Sequence, residues 1–142
     1  MAITHEVLGE PGRDNALLVT IDSGQSQHRL LFDSGEGCLA KIAISQIQAI
    51  EAVFFSHFHI DHVAGFDSFL RMNWARPDTP VRIFGPPGAI KIVHYRLRGY
   101  PQRQALFKME KSHAALSCSD AISPLRIVAA CSVPGWPLFG PP

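Results

Sequence analysis

Three imidazoles and a carboxylate fall within six consecutive positions, His57, His59, Asp61 and His62, in the segment Ser56-His57-Phe58-His59-Ile60-Asp61-His62. Each is a polar group that costs free energy when buried without a partner, so this segment cannot serve as plain core. Metal coordination accounts for all four together. In an extended segment residues two apart point the same way, which lets His57 and His59 converge on one ion. The loop then turns to aim Asp61 and His62 at a neighbouring ion. Neutral imidazole with carboxylate suits zinc, and also manganese or iron. A single histidine at a strand end is more often solvated than ligating; four donor types at this spacing form a much more specific pattern.

Such a loop needs rigid elements to hold it. Residues 52–56, Ala-Val-Phe-Phe-Ser, read as a buried strand leading into it, because their apolar residues are contiguous. Val63, Phe66, Phe69, Leu70 and Trp74 follow at helical spacing until Arg76-Pro77-Asp78 ends the stripe. Upstream, residues 16–22 and 28–33 are expected to pair as a hairpin across Ser23-Gly24-Gln25-Ser26. The second of these strands runs into Asp33-Ser34-Gly35-Glu36-Gly37, where glycines admit conformations that other residues resist. Leu39, Ile42, Ala43 and Ile47 predict a short helix between Cys38 and Gln48. Downstream, residues 81–84 predict a strand closed by Gly85-Pro86-Pro87-Gly88, and Ile90, Val93, His94 and Leu97 mark one face of another helix. The alternation predicts an α/β or layered α+β domain on a mixed sheet. The pattern changes after Tyr100: the last 42 residues hold six of the 11 prolines, which blocks long elements there. A helical turn over 104–109, a short strand over 127–130 and a weakly structured tail from Pro134 are expected. The division is thus a domain over 1–100 and an atypical segment over 101–142.

Composition narrows the classes of partner. The chain has 142 residues, 46% of them hydrophobic and 18% charged, which is the balance of one globular domain rather than a disordered chain. With 13 Lys and Arg against 12 Asp and Glu, it lacks the strong overall positive charge that drives non-specific nucleic-acid binding. No apolar run suggests a signal peptide or a membrane span, so the expected location is the cytoplasm and no membrane partner is expected. Cys38, Cys118 and Cys131 contain no Cys-x-x-Cys pair and read as reduced, structural thiols.

The segment His57-x-His59-x-Asp61-His62 after a hydrophobic strand resembles the signature of the metallo-β-lactamase fold superfamily of binuclear metal hydrolases. Leu30-Leu31-Phe32-Asp33-Ser34-Gly35-Glu36-Gly37, Gly65-Phe66 and Ile83-Phe84-Gly85-Pro86-Pro87-Gly88 further resemble its ribonuclease Z branch, whose members cut precursor transfer RNA at its 3′ side. The resemblance covers about residues 16 to 100 and implies an αββα sandwich, of which this sequence holds the N-terminal half. It also implies that His57 and His59 bind a first metal, that Asp61 and His62 belong to a second, and that Asp61 lies beside the bridging water. Asp33 would accept the ring proton of a metal-ligating histidine. For Asp33 and Glu36 the competing reading is a turn carboxylate bonding its own backbone. Hydrolysis by a hydroxide bridging two zinc ions is the chemistry implied, with manganese or iron as alternatives and RNA or a small phosphodiester as substrate.

The resemblance also shows what to look for later in the chain. The superfamily completes its sites with an aspartate and two further histidines, and after His62 only His94 and His113 remain. His94 falls in an expected helix and reads as a surface or packing residue; His113, in Lys111-Ser112-His113-Ala114, is a weak third-ligand candidate. Residues from Pro101 onward are accordingly expected to be foreign to the family, as in a truncated or frame-shifted product. Basic residues from Arg71 to Lys111 read either as a phosphate-contacting surface or as a solvated helical face. Two rivals stand beside the ribonuclease Z reading. One is a hydrolase of another small ester or cyclic nucleotide; the other is an inert half-domain that needs a partner or a second copy over its uncovered sheet.

Overall fold

The computed structural model describes residues 1–73, 81–100, 107–109 and 125–127. The aliphatic runs form the expected hairpin, strand β2 (Asn15–Asp22) against β3 (Gln27–Phe32), with Leu17 opposite Phe32 and Asp22 opposite Gln27. Its four-residue turn is closed by Ser23 N donating to Ser26 O (2.9 Å) and Gly24 N donating to Asp22 Oδ1 (2.7 Å). Ahead of it lies a strand without a counterpart in the sequence reading, β1 (Ala2–Gly9), antiparallel to β2 at the sheet edge. Its alternation is diluted by Thr4, His5 and Glu6 because both faces of this strand are largely exposed, which leaves little periodic signal.

β3 pairs in parallel with β4 (Ile50–Phe54), and β4 with β5 (Val81–Phe84). Two short strands, β6 (Phe107–Met109) and β7 (Leu125–Ile127), extend the same sheet to the order β1-β2-β3-β4-β5-β7-β6. β6 corrects the helical turn expected over 104–109. Parallel pairing with β7 supplies its backbone hydrogen bonds, a tertiary effect that overrides local propensity. β7 starts two residues before the expected strand; residues 104–106 and 128–130, Trp74 and the stop at 76–78 lie outside the described residues.

The helices are α1 (Ile44–Gln48), α2 (Ile60–Val63), α3 (Phe66–Met72) and α4 (Ala89–Leu97). α1 is shorter than the expected helix between Cys38 and Gln48, because Ala43 is extended (ψ 140°) and the chain before it runs in turns, Ala40 N to Gly37 O and Ile42 N to Leu39 O. Leu39 is buried all the same, so its helical spacing reflects burial rather than helix. Ile47, Phe66, Phe69 and Val93 from the helices join Leu31, Val53 and Ile83 from the sheet in one core cluster. The alternate sheet residues Leu17, Phe32, Phe54 and Phe84 form a cross-strand row on the opposite face, with successive phenylalanine rings stacked at 4.9 and 4.6 Å. The described strands thus make one sheet with helices packed on one face, an αβ half of the expected αββα arrangement.

Two glycines let the loop after β3 dock against the segment between α2 and α3. Gly65 N donates to Ser34 O (2.9 Å) and Ser34 N donates to His62 O (2.7 Å). A Cβ on Gly65 would run into the carbonyl oxygen of Gly35, and one on Gly35 would stand 2.6 Å from Asn15 N. This crossing replaces the single expected helix by α2 and α3 on either side of Ala64-Gly65. Gly65→Ala should therefore cost about 2 kcal/mol or more, the range of overpacked sites. Gly99→Ala, whose Cβ would meet only Arg96 O at 3.5 Å, should change the urea midpoint little by comparison. Equal midpoints for the two variants would show that the crossing tolerates a side chain.

Candidate metal centre

Because β3, β4 and β5 are parallel, their C-terminal ends meet on one edge of the sheet, where open α/β sheets present functional groups. The ladder continues one residue past each strand: Asp33 N donates to Phe54 O and Phe55 N to Phe84 O, both at 2.8 Å. The chain then leaves the sheet as Ser56-His57-Phe58-His59. Phe58 turns into the core against Phe55, with ring centroids 5.3 Å apart, while the alternate His57 and His59 keep their rings 4.6 Å apart. α2 follows at once, its first turn bringing the His62 ring to 3.9 Å from that of His57. His57, His59 and His62 are thus gathered as one cluster.

Asp33 sits beneath that cluster with a left-handed backbone (φ 58°), a conformation that aspartate tolerates better than most residues. Its carboxylate is largely buried and accepts three hydrogen bonds. Oδ1 takes the Ser56 backbone N–H (2.8 Å); Oδ2 takes the Ser56 hydroxyl (2.7 Å) and pairs with His62 Nδ1 (2.8 Å). The turn-carboxylate reading therefore does not describe Asp33, whose partners lie across the sheet. Glu36 is exposed, and its backbone N–H is held by Asp14 Oδ1 (2.8 Å). Asp61 Oδ2 stands 3.4 Å from His62 Nε2, with the Asp61 side chain about half exposed.

With Nδ1 of His62 held by a carboxylate, its Nε2 is the nitrogen left to donate a lone pair, which is the chemistry of a metal-binding imidazole. The donor set fits a divalent ion in kind. Among the described residues no three His, Cys, Asp or Glu side chains are arranged to hold one ion. His94 is exposed on α4, away from the core-facing Val93 and Leu97, and His113 lies outside the described residues. Burial pushes the Cys38 thiol above its ordinary value, and the nearby Asp14 carboxylate adds to this, which keeps it a neutral structural thiol. Arg96 is committed to Asp67 at 2.7 Å, tying α4 to α3, whereas Arg71 and Lys91 are exposed, as are Arg82, 4.0 Å from Glu51, and Arg98, over the Tyr95 ring. Ser56, Gly35 and Gly65 are the contributors that sequence reasoning left without a role. The serine beside the first histidine was the available signal, but its partner lies 23 residues away.

The family profile for the beta-lactamase superfamily domain matches residues 28–130, past the limit near residue 100 that the motifs suggested. Ribonuclease Z of Deinococcus radiodurans is 46% identical over 110 residues, 74% of this chain and 33% of that protein. Ribonuclease Z of Clostridium kluyveri is 40% identical over 87 residues, 58% of this chain and 28% of that one. Among solved structures, human tRNase Z, short form, superposes with a TM-score of 0.52 at 26% identity, covering 69% of this chain and 40% of its own. A metallo-beta-lactamase fold protein from Bacillus subtilis superposes with a TM-score of 0.58 at 16% identity, covering 97% of this chain and 50% of its own, a likeness of fold alone. The chain spans between a fifth and a third of the length of the curated relatives it matches. Fold, histidine cluster and profile agree: the chain belongs to the beta-lactamase superfamily, in its ribonuclease Z-like branch.

Proposed function

We propose that this chain supplies the histidine loop of a metal-dependent phosphodiester hydrolase of ribonuclease Z type, acting on the 3′ side of precursor transfer RNA in the cytoplasm. The observation that carries the reading is the Asp33–His62 contact beneath a cluster of three imidazoles at the C-terminal edge of a parallel sheet. His57 and His59 would hold one divalent ion, and Asp61 and His62 a second, with zinc the first choice and manganese or iron the others. Bound there, such ions supply Lewis acidity and a nucleophile at neutral pH. Asp33 holds the His62 ring in orientation and keeps its proton on Nδ1. Asp61, half exposed beside His62, would face water and substrate. The same arrangement suits another small ester or cyclic nucleotide, so the assay includes such substrates.

A catalytic zinc site ordinarily uses three protein donors, which makes occupancy the decisive measurement. Close to two ions per chain, together with cleavage of a precursor transfer RNA, is expected if His113 or a partner completes the cage. His59→Ala and Asp61→Ala should each abolish that cleavage; a rate that survives both belongs to another site or a contaminant. Asp33→Asn, which loses one acceptor oxygen against three donors, should weaken metal binding about 10- to 100-fold, as measured by chelator competition.

The phenylalanine row favours a second reading, a half-domain covered by a second copy or another partner. Phe32 is 36% exposed, and Val7 and Ile3 on the edge strand are 70% and 60% exposed. Light scattering of the purified chain should then show a dimer that Phe32→Glu dissociates. Substoichiometric, readily chelated metal with no cleavage would favour this reading over the hydrolytic one.

A further inference from the structure

Ser56 stands between the sheet and the first candidate metal donor. Its hydroxyl lies 2.7 Å from Asp33 Oδ2 and 2.9 Å from His57 Nδ1. A hydroxyl has one proton to donate, and a carboxylate can only accept. Were that proton turned toward His57, the serine oxygen would present lone pairs to a carboxylate oxygen at 2.7 Å, a repulsive contact. The proton therefore goes to Asp33, and the serine oxygen is left to accept from His57 Nδ1–H. His57 then carries its proton on Nδ1 and its lone pair on Nε2, the tautomer that His62 reaches by direct contact with the same carboxylate.

We propose that Ser56 is a positioning residue: it passes the acceptor character of Asp33 on to His57, so that one carboxylate sets the tautomer and ring orientation of two imidazoles. Asp33 acts on His62 directly and on His57 through the hydroxyl. The consequence for metal binding rests on the reading of His57 as a donor given above; the tautomer does not, because it is a property of the metal-free chain.

The test uses the full chain, metal-free, with its histidine ring nitrogens observed by two-bond proton–nitrogen NMR at a pH where the imidazoles are neutral. Wild type should show His57 and His62 both protonated at Nδ1. Ser56→Ala should remove that state at His57 and leave it at His62, and Ser56→Thr should restore it. Zinc affinity by chelator competition should fall about 10-fold or more in Ser56→Ala and recover in Ser56→Thr, the size of effect expected for a lost partner of a ligating histidine. If Ser56→Ala does not fold, Ser56→Cys, of similar shape but weak as a hydrogen-bonding group, must show the same loss at His57. A His57 ring that keeps its Nδ1 proton in these variants overturns the proposal; a changed tautomer with unchanged zinc affinity upholds the tautomer and overturns only its consequence for metal binding. His57→Ala separates the two ideas: if it leaves zinc affinity intact, the donor reading of His57 has failed, whatever the tautomer of the wild-type ring.

Discussion

One buried carboxylate organises the candidate centre. Asp33 closes β3 in a left-handed conformation and gathers donors from the end of β4 and from α2, so three separate parts of the chain are tied at a single side chain. The His62 ring is largely shielded from water while Ser56 is exposed, so loss of the carboxylate falls hardest on His62, where a buried donor left without its acceptor costs about 1–3 kcal/mol. The orientation of the histidine loop is therefore coupled to the integrity of the sheet. The backbone repeats the tie, with Ser34 N bonded to His62 O and Gly65 N bonded to Ser34 O.

The rest of the architecture follows from the need to bring those parts together. Parallel pairing of β3 with β4 puts Asp33 and Ser56 at the same end of the sheet, which an antiparallel pair of these strands would not do. The absence of side chains at Gly35 and Gly65 lets the two loops touch backbone to backbone. Phe58, packed against Phe55, anchors the histidine segment from the core side, and Phe66 meets Phe55 edge-on at 5.1 Å beneath it. The sheet is asymmetric: one face carries the helices and the core, and the other carries a row of stacked phenylalanines. In the αββα design of this superfamily a second sheet packs on such a face. The contrast between a well-supported ligand loop and an apolar face beside it suits a chain that spans a third or less of its curated relatives.

Much of this was legible in the residues themselves. A contiguous apolar run located β4, the segment closed by Gly85-Pro86-Pro87-Gly88 located β5, the helical stripe located α4, and the turn residues at 23–26 located the hairpin. Period alone misled where burial had another cause. Leu39 has helical spacing with Ile47 yet lies in a turn, and the stripe from Val63 to Leu70 is broken at Gly65 by a contact from a distant loop. The edge strand β1 left little trace because it is exposed on both faces, and β6 took its form from pairing with β7 rather than from its own composition.

The sequence by itself determined the chemistry available: three imidazoles and a carboxylate at metal-binding spacing, immediately after a hydrophobic strand. Donor type and local spacing are properties of the covalent chain, so they can be read without a fold. What the tertiary structure decided is which nitrogen of the His57 and His62 rings is engaged within the protein. That depends on a carboxylate 29 residues from His62 and on a hydroxyl 23 residues from Asp33, and hydrogen bonds of 2.7 and 2.8 Å form at such separations only once the parallel sheet has brought the strand ends together.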